Sequence, residues 1–412
     1  MNKNNIILMF ILLINGILLA QNRFDESRLK THIEYLASDK LKGRGTGSKE
    51  EKKAAKYIAK QFKKIGLAPK GDNGTFFHAF SFKKSSDPHG FVAPDAPLVN
   101  SQNVAGFLDN GAPYTVVIGG HYDHLGLGHD HNSLDANPDG KIHNGADDNA
   151  SGTTGVIELA RYFQNNGVKE NTNFLFLCYS GEELGLLGSK KYCETPTIDL
   201  QTVTYSINLD MIGRLKEDTR KIVVGGVGTA PNFSTLIDMM PGSITVAKDS
   251  SGIGPSDHTS FYLKNLPVLF FFTGGHSDYH KPSDDADKIN YKGMVDVLEY
   301  IVGMIQRLDD KGKLVFQETK KKSDDKTSFK VTLGIMPDYA FDGTGVRVDG
   351  VTDNRPADKA GLKKGDIIIK LGDLEVTDMQ AYMKGLGRYN KGDSTTVKVK
   401  RGTEEIEAKI TF

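Results

Sequence analysis

The central 200 residues of the chain alternate between β-rich runs and helical patterns, and this alternation restricts the fold more than any other feature. Amphipathic patterns with helical spacing separate short runs rich in β-branched and aromatic residues. These runs are residues 114–118, 173–178, 203–209, 221–224 and 268–272. Alternation of this kind predicts an α/β domain in which a mostly parallel sheet is covered by helices on both faces, a three-layer α/β/α arrangement.

Two helices are expected ahead of the alternating region. Apolar residues at helical spacing mark the first over residues 29–36. The second begins after Ser48, which forms a capping box with Glu51, and ends at Gly66. Residues 67–103 are rich in Gly, Asp and Pro, and we expect loops and edge structure there.

Polar clusters follow the predicted strands at the points where the strands end. In parallel sheets ligands bind beyond the carboxyl ends of the strands, so these clusters are expected to meet at one edge. They contain two or more imidazoles and at least three carboxylates. The clusters are His121-Tyr122-Asp123-His124, Asn144-Gly145-Ala146-Asp147-Asp148, Gly181-Glu182-Glu183, Asn208-Leu209-Asp210 and Tyr279-His280.

The acidic residues of these clusters have few basic residues beside them in the sequence. Asp147 and Asp148 are adjacent, and no Lys or Arg nearby compensates their charge. Carboxylates gathered at one edge repel one another unless a cation lies between them. Nitrogen and oxygen ligands without thiolate suit zinc, or manganese or cobalt. The number of ligands exceeds what one tetrahedral zinc takes, which favours two metals that share a carboxylate.

The order of these motifs resembles that of a known family. His-x-Asp, Gly-Ala-Asp-Asp-Asn-Ala-Ser-Gly, Gly-Glu-Glu-Leu-Gly-Leu-Leu-Gly-Ser, Asn-Leu-Asp-Met and Tyr-His-Lys-Pro follow one another as in the co-catalytic zinc aminopeptidases of peptidase family M28. The run Gly43-Arg44-Gly45-Thr46-Gly47-Ser48 is also similar to that family. The resemblance covers roughly residues 25–308 and implies a zinc exopeptidase fold, assigned here to residues 21–312.

The resemblance also implies a ligand set for two Zn²⁺ ions. His121 and Asp210 would bind one zinc, and Glu183 and His280 would bind the other. Asp147 would bridge the two ions. Other divalent metals could replace zinc in the same ligands.

Two further residues take roles from the same resemblance. Asp123 would orient the ring of His121 from behind, as a carboxylate does for many ligating imidazoles. Glu182 would be the general base that activates water and then protonates the leaving amine. The implied activity is removal of N-terminal residues from peptides.

Three other functions remain open on this sequence. Related enzymes remove C-terminal residues, so a carboxypeptidase is one alternative. A glutaminyl cyclase-like acyltransferase shares the fold and uses a single metal, which the bridging Asp and full ligand set disfavour. The third alternative is a catalytically inert protein that binds peptides through its C-terminal unit.

The C-terminal part of the chain resembles a PDZ domain. A charged linker is expected over residues 313–328, and residues 329–412 carry the resemblance. In that family the loop corresponding to Leu333-Gly334-Ile335 caps a groove in which a C-terminal peptide adds as a strand. A second reading is that the domain only braces its neighbour.

The first twenty residues have the pattern of a signal peptide. Lys3 precedes an apolar stretch over residues 6–19, and Ala20 is a plausible cleavage residue. The stretch is shorter than the roughly 20 residues of a membrane span, although a retained anchor is the alternative. We therefore expect an exported protein, periplasmic or secreted, without stable membrane insertion.

The charge balance bears on nucleic-acid binding, and the cysteine content bears on a disulfide. Lys plus Arg equals Asp plus Glu, at 52 each, and this balance does not favour nucleic-acid binding. The two cysteines are Cys178 and Cys193. Export permits a disulfide between them, but Cys178 ends an apolar run, so burial as free thiols is equally consistent with the sequence.

Overall fold

The structure is a computed structural model that describes residues 23–84, 95–130, 132–319, 331–337, 341, 343–352 and 354–412. The predicted signal peptide therefore lies outside the described residues. The helices of the first domain are α1 (Glu26–Leu36), α2 (Lys49–Ile65), α3 (Gly152–Asn165), α4 (Leu187–Glu194), α5 (Pro231–Asp238), α6 (His258–Tyr262) and α7 (Tyr291–Leu308). Within the described part of the chain, none of the helices has the length and hydrophobicity needed to cross a bilayer.

One mixed sheet forms the centre of the first domain. Its strands are β1 (Ala68–Pro69), β2 (Phe77–Lys83), β3 (Leu98–Leu108), β4 (Thr115–His121), β5 (Asn173–Tyr179), β6 (Val203–Leu209), β7 (Lys221–Gly225), β8 (Thr245–Lys248) and β9 (Val268–Phe272). Their order is β1-β3-β5-β4-β6-β9-β7-β8, with β2 paired to β3. The pairs β4–β5, β4–β6, β6–β9 and β7–β8 are parallel, which confirms the predicted α/β class.

Strand β3 differs from the prediction of loops and edge structure over residues 67–103. It is a long strand, hydrogen-bonded to β2 on one side and β5 on the other, and both pairings are antiparallel. Its polar residues obscured the strand pattern, and tertiary contacts explain them. The buried Asn103 amide donates to the Gly188 carbonyl at 2.9 Å, and its oxygen accepts from Ser180 N at 3.1 Å.

The sheet separates two apolar layers, as the alternation of side chains along a strand requires. On β4, Val116 and Ile118 pack with α1, α2, α3, α5 and α7 in one core. Val117, between them, faces the opposite core, which includes residues of α4 and α6. Full burial of an aliphatic side chain stabilises a fold by roughly 1.5–3 kcal/mol, so both layers hold the sheet in place.

Local signals predicted the ends of α2 correctly. The Ser48 hydroxyl accepts from Glu51 N at 3.0 Å, and the Glu51 carboxylate accepts from Gly47 N at 2.8 Å. Gly66 ends the helix with φ of 98°, a conformation that favours glycine. Cys178 and Cys193 are buried free thiols, so of the two alternatives for the cysteines the structure has free thiols and not a disulfide.

The second domain is a small antiparallel β structure with its own core, in agreement with the predicted β-rich unit. Its strands are β10 (Ile335–Pro337), β11 (Val346–Val351), β12 (Ile367–Leu371), β13 (Leu374–Glu375), β14 (Ser394–Arg401) and β15 (Glu404–Thr411). Its helices are α8 (Pro356–Lys359) and α9 (Met379–Leu386). The strand order is β10-β11-β12-β14-β15, so β10 is an edge strand, and β13 pairs with β12.

The predicted linker, residues 313–328, is described only as far as residue 319, and that part packs on the first domain. Leu314 is buried, and its backbone N–H donates to Thr204 Oγ1 at 3.0 Å. The Phe316 ring lies 5.4 Å from that of Tyr262. Residues 313–319 are thus not a solvated segment, because they contain the apolar run Leu314-Val315-Phe316, in which Leu314 is buried and Phe316 contacts Tyr262.

Candidate metal centre

The predicted site residues lie at one edge of the sheet, just beyond the ends of β4, β5, β6 and β9. His121 is the last residue of β4, and Asp210 follows the last residue of β6. Glu182 and Glu183 lie in the turn after β5, and His280 lies in the loop after β9. Parallel pairing in register brings these strand ends together, as the sequence predicted.

One half of the site is built around His121. Its Nε2 lies 3.3 Å from Asp148 Oδ1 and 3.4 Å from Asp210 Oδ1. Burial alone would lower the pKa of His121, but the Asp210 and Glu182 carboxylates raise it well above its usual range. This half therefore offers one imidazole nitrogen and two carboxylates.

The other half is built around His280 and Glu183. His280 Nε2 lies 3.1 Å from both Asp148 Oδ2 and Glu183 Oε2. The second oxygen of Glu183, Oε1, lies 2.7 Å from His124 Nδ1. Burial raises the pKa of Glu183, yet His280 and His124 outweigh it and hold that pKa at about 2.

Asp148 lies between the two halves, and this corrects the prediction that Asp147 holds the central position. The two oxygens of Asp148 face His121 on one side and His280 on the other. Asp147 points away from the centre, where its Oδ1 accepts from Gly213 N at 2.7 Å and its Oδ2 lies 3.1 Å from His276 Nε2. Consecutive side chains in this tight turn point in different directions, and the sequence could not show which faces the site.

Both imidazoles are oriented by contacts on their far nitrogens. His121 Nδ1 lies 3.2 Å from the Asp123 carbonyl oxygen and 3.7 Å from Asp123 Oδ1. His280 Nδ1 donates to the Asn132 carbonyl at 2.8 Å. In each ring Nε2 is the nitrogen directed at the centre, an arrangement typical of metal-ligating histidines.

Glu182 lies at the rim of the His121 half. Its Oε2 is 4.0 Å from His121 Nε2, and its backbone N–H donates to Asp123 Oδ1 at 3.2 Å. Burial raises the pKa of Glu182 well above its usual range, and although His121 opposes the shift, the Glu183 charge adds to it. Asp123 lies in the turn after β4, so its bond to Glu182 N links that turn to the turn after β5. Its other oxygen accepts from Thr46 Oγ1 at 2.7 Å.

Arg44 holds the loops of the site together from behind, a role that the run Gly43-Arg44-Gly45 did not predict. Its fully buried guanidinium donates to carbonyls of Leu36, Tyr122, Asn144 and Gly145. Burial lowers its pKa to about 10, while nearby Asp123 and Asp148 oppose the shift. The guanidinium thus joins the turn after His121 to the turn that carries Asp148.

His124 and Asp284 are two other residues of the site for which the sequence predicted no role. His124 is buried against Glu183, whereas the sequence indicated it only as a member of the first polar cluster. Asp284 Oδ2 accepts from the backbone N–H groups of Asp147 and Asp148, at 2.9 and 3.0 Å. The sequence feature that could have indicated His124 is its place close to His121 after a strand. For Asp284 the corresponding feature is its place four residues after His280.

The donor set suits divalent metals. Three overlapping groups of ligand atoms each lie within 4.8 Å of one another: His121-Asp148-Asp210, His121-Glu182-Glu183 and His124-Asp148-Glu183. Among the described residues, Asp210 Oδ1 and His124 Nε2 are buried and have no hydrogen-bond partner. Buried carboxylates this close together require a positive charge between them, and imidazole and carboxylate ligands fit zinc.

The predicted peptide-binding loop of the second domain precedes and begins β10. Leu333 and Ile335 pack into the core of that domain. The carbonyls of Leu333 and Gly334 each accept a backbone hydrogen bond at 2.8 Å, from Ala357 and Thr352. Gly334 has φ of 75°, so the loop turns sharply into the edge strand.

Comparisons with known proteins find relatives of both domains. Residues 103–305 match the model of peptidase family M28, and residues 314–412 match that of the PDZ domain. The first domain belongs to peptidase family M28. The chain is 26% identical over 198 residues to Aminopeptidase YwaD of Bacillus subtilis, which covers 44% of this chain and 42% of that protein. It is 27% identical over 210 residues to a probable leucine aminopeptidase of Arthroderma otae, covering 48% and 54%.

Solved structures of M28-like exopeptidases share the fold. BSAP, a zinc aminopeptidase from Bacillus subtilis, superposes with a TM-score of 0.55 at 17% identity, over 72% of this chain and 99% of that one. A Zn-dependent exopeptidase from Parabacteroides distasonis gives a TM-score of 0.53 at 16% identity, over 68% and 98%. At such identities the likeness establishes the fold. The chain spans about half the length of the two sequence relatives.

Proposed function

We propose that this chain is a dinuclear zinc aminopeptidase that removes N-terminal residues from peptides. The observation that carries the proposal is the position of Asp148, whose two oxygens lie 3.3 and 3.1 Å from His121 Nε2 and His280 Nε2. A carboxylate flanked by two imidazoles, each with a further carboxylate, is the ligand pattern of two metals that share one bridging group.

The proposed ligands differ from the predicted set at one position. His121 and Asp210 would hold one ion, Glu183 and His280 the other, and Asp148 both. When bound, zinc polarises the scissile carbonyl and lowers the pKa of water. The M28 assignment and the zinc aminopeptidases among its structural relatives support this choice of metal.

Glu182 is the proposed general base. Its carboxylate lies 4.0 Å from His121 Nε2, and its backbone N–H donates to Asp123, so the turn that carries it is fixed beside the proposed metal ligands. Glu182 would accept the proton of the attacking water, keep it during attack, and deliver it to the leaving amine. Its high pKa suits a group that must carry a proton between two steps.

We expect Glu182→Gln to retain the metals and lose turnover. The amide keeps the shape of the side chain but cannot take a proton, so kcat should fall by about 10²–10⁴-fold. Zinc content by inductively coupled plasma mass spectrometry and kcat on a Leu-led peptide measure the two effects. Glu194→Gln, on the exposed surface of α4, is the matched control. Full activity in a zinc-loaded Glu182→Gln protein would remove Glu182 from this role.

The reaction itself is tested with a mixture of peptides that have free, acetylated and Gln-led N-termini. Mass spectrometry of products from the zinc-loaded protein should show stepwise N-terminal shortening of the free peptides alone. C-terminal shortening would establish a carboxypeptidase instead, and loss of ammonia without shortening would establish a cyclase. No products from a protein that binds zinc and captures peptides would establish the inert binding protein.

Two further hypotheses belong to the same proposal. The apolar pattern of the first twenty residues supports export to the periplasm or medium, and N-terminal sequencing of the mature protein tests it. The edge position of β10 supports peptide addition along Leu333-Gly334-Ile335, with the peptide carboxylate on backbone N–H groups. Titration with a C-terminal peptide and with its amidated form tests that groove.

A further inference from the structure

A small apolar cavity adjoins the metal centre, and the second domain forms part of its wall. The cavity measures about 50 Å³. Its lining includes Asp210, Met211, Phe270, Phe272, Tyr279 and Pro337. All of these belong to the first domain except Pro337, which ends strand β10 of the second domain.

Two contacts connect the cavity to the proposed catalytic groups. Asp210 lines the cavity and also lies 3.4 Å from His121 Nε2. Tyr279 lines it too, and its ring stacks on that of His280 with 3.9 Å between centroids. The cavity therefore borders the His121 half directly through Asp210 and is separated from the His280 half by the ring of Tyr279.

The remaining walls are apolar and fixed by packing. Met211, Phe270 and Phe272 belong to one buried cluster, against which Tyr279 packs. The Phe270 and Phe272 rings are stacked at 6.0 Å, because alternate residues of β9 face the same side of the sheet. Met211, Phe270 and Phe272 are held by the packing of the first domain. Pro337 belongs to the second domain, so a substitution there changes the cavity without disturbing the core of the first domain.

We propose that Pro337 completes the pocket for the N-terminal side chain of the substrate, so that the second domain helps to select what the first domain cleaves. This inference rests on the proposed aminopeptidase function. An apolar cavity of this size suits a short aliphatic side chain, such as that of Val or Leu, better than an aromatic ring. Proline has a rigid ring and therefore forms a firm wall.

The test changes the wall and leaves the metal ligands intact. Pro337→Ala shortens the wall, and we expect the ratio of kcat/KM for Phe-led over Leu-led 4-nitroanilides to rise by about tenfold. Pro337→Trp fills the cavity, and kcat/KM for Leu should fall by about tenfold while that for Ala falls less. Zinc content and Tm of both variants should equal those of the unmodified protein.

The matched controls are the same substitutions at Pro113. This residue is exposed in the loop before β4, at the opposite edge of the sheet from His121. They should leave the substrate ratios unchanged. Identical ratios in the Pro337 and Pro113 variants, with zinc bound, would overturn the inference.

A binding measurement separates this inference from the proposed reaction. The hydroxamates of L-leucine and L-phenylalanine are titrated calorimetrically into the full-length, zinc-loaded proteins. If the unmodified protein hydrolyses none of the substrates, the aminopeptidase proposal fails, and the two dissociation constants still test the pocket. A tenfold shift of their ratio by Pro337→Ala supports it, and an unchanged ratio overturns it.

Discussion

The metal centre and the layer of polar groups behind it use the same residue types, but they are stabilised in different ways. In the supporting layer, made of Arg44, Asp123, Asp147 and Asp284, the side chains bond to backbone groups. In the centre, Asp148, Glu183 and Asp210 face imidazoles and one another. The side chains of the layer thus find backbone donors and acceptors within the protein, whereas the carboxylates of the centre are close enough to one another to need a positive charge between them.

Two buried histidines show how strongly the surroundings change the pKa of an imidazole. His280, among carboxylates, has a pKa well above its usual range, because Glu183 and Asp148 outweigh the effect of burial. His258, stacked on Phe270 at 4.6 Å in the nearby apolar cluster, has a pKa lowered by burial to about 3. Both histidines are buried, so the difference between their pKa values comes from the carboxylates beside His280, whereas at His258 burial acts alone.

The largest expected effect separates Asp148 from Asp147. Asp148→Asn should lose zinc and lower kcat/KM by roughly 10³-fold or more, because metal-based charge stabilisation supplies several kcal/mol of barrier reduction. Asp147→Asn keeps an oxygen for Gly213 N, so it should retain zinc and lose stability by about 1–3 kcal/mol. Zinc stoichiometry, kcat/KM and urea unfolding of both variants measure the contrast. The reverse pattern would restore Asp147 to the central position.

Arg44→Lys tests whether the supporting layer holds the centre in place. A lysine ammonium cannot reach four carbonyls with the planar geometry of a guanidinium, so backbone acceptors would lose their donors. We expect the free energy of unfolding to fall by about 3–5 kcal/mol, with weaker zinc binding. Arg220→Lys, at a surface pair with Asp296, should change neither quantity. Equal behaviour of the two variants would mean that Arg44 does not position the loops.

A smaller effect is expected at His124, which belongs to the boundary between centre and layer. His124→Gln removes the imidazole that faces Glu183 Oε1 at 2.7 Å. Loss of such a contact typically costs 10–100-fold in metal affinity, so zinc competition with a chelator should report about this change. His143→Gln, a buried histidine bonded to Ser133 Oγ, is the control. Unaltered affinity in His124→Gln would place His124 in the layer alone.

The last effect, which is the smallest when counted per pH unit, concerns His258, whose imidazole lies in apolar surroundings. The unfolded chain binds a proton at His258 below pH about 6.5, and the folded protein does so only near pH 3. Its contribution to stability is thus present above pH 6.5 and lost as the pH falls toward 3, by on the order of 1 kcal/mol per pH unit. His258→Phe retains the stacking and should show a shallower loss. Urea unfolding of both metal-free proteins between pH 7 and 4 measures the difference, and parallel curves would contradict it.

The sequence predicted the parts of this molecule that depend on periodicity and chain order. Strand ends placed His121, Glu182, Glu183 and Asp210 at one edge because parallel strands with helical connections align their carboxyl ends. Side-chain direction in a tight turn was beyond that reasoning, which is why Asp147 was chosen over Asp148. Strand β3 was missed because its buried polar residues are explained only by tertiary partners.

Long-range polar contacts were equally hidden from the sequence. Arg44 donates to carbonyls that lie up to 101 residues away, and no local pattern announces this. His124 was visible as a residue type, but its partner Glu183 is 59 residues away. Both contacts depend on how loops approach each other after the sheet has formed.

The position of Arg44 has a consequence for biosynthesis. The residue precedes the segment that matches the peptidase family model, yet its guanidinium ties together the turns that carry His121 and Asp148. Because the amino-terminal region leaves the ribosome first, the Arg44 side chain is present in the nascent chain before the turns that it joins are synthesised. A fragment that began at residue 103, where the family match starts, would lack Arg44 and therefore the side chain that joins the turns of His121 and Asp148.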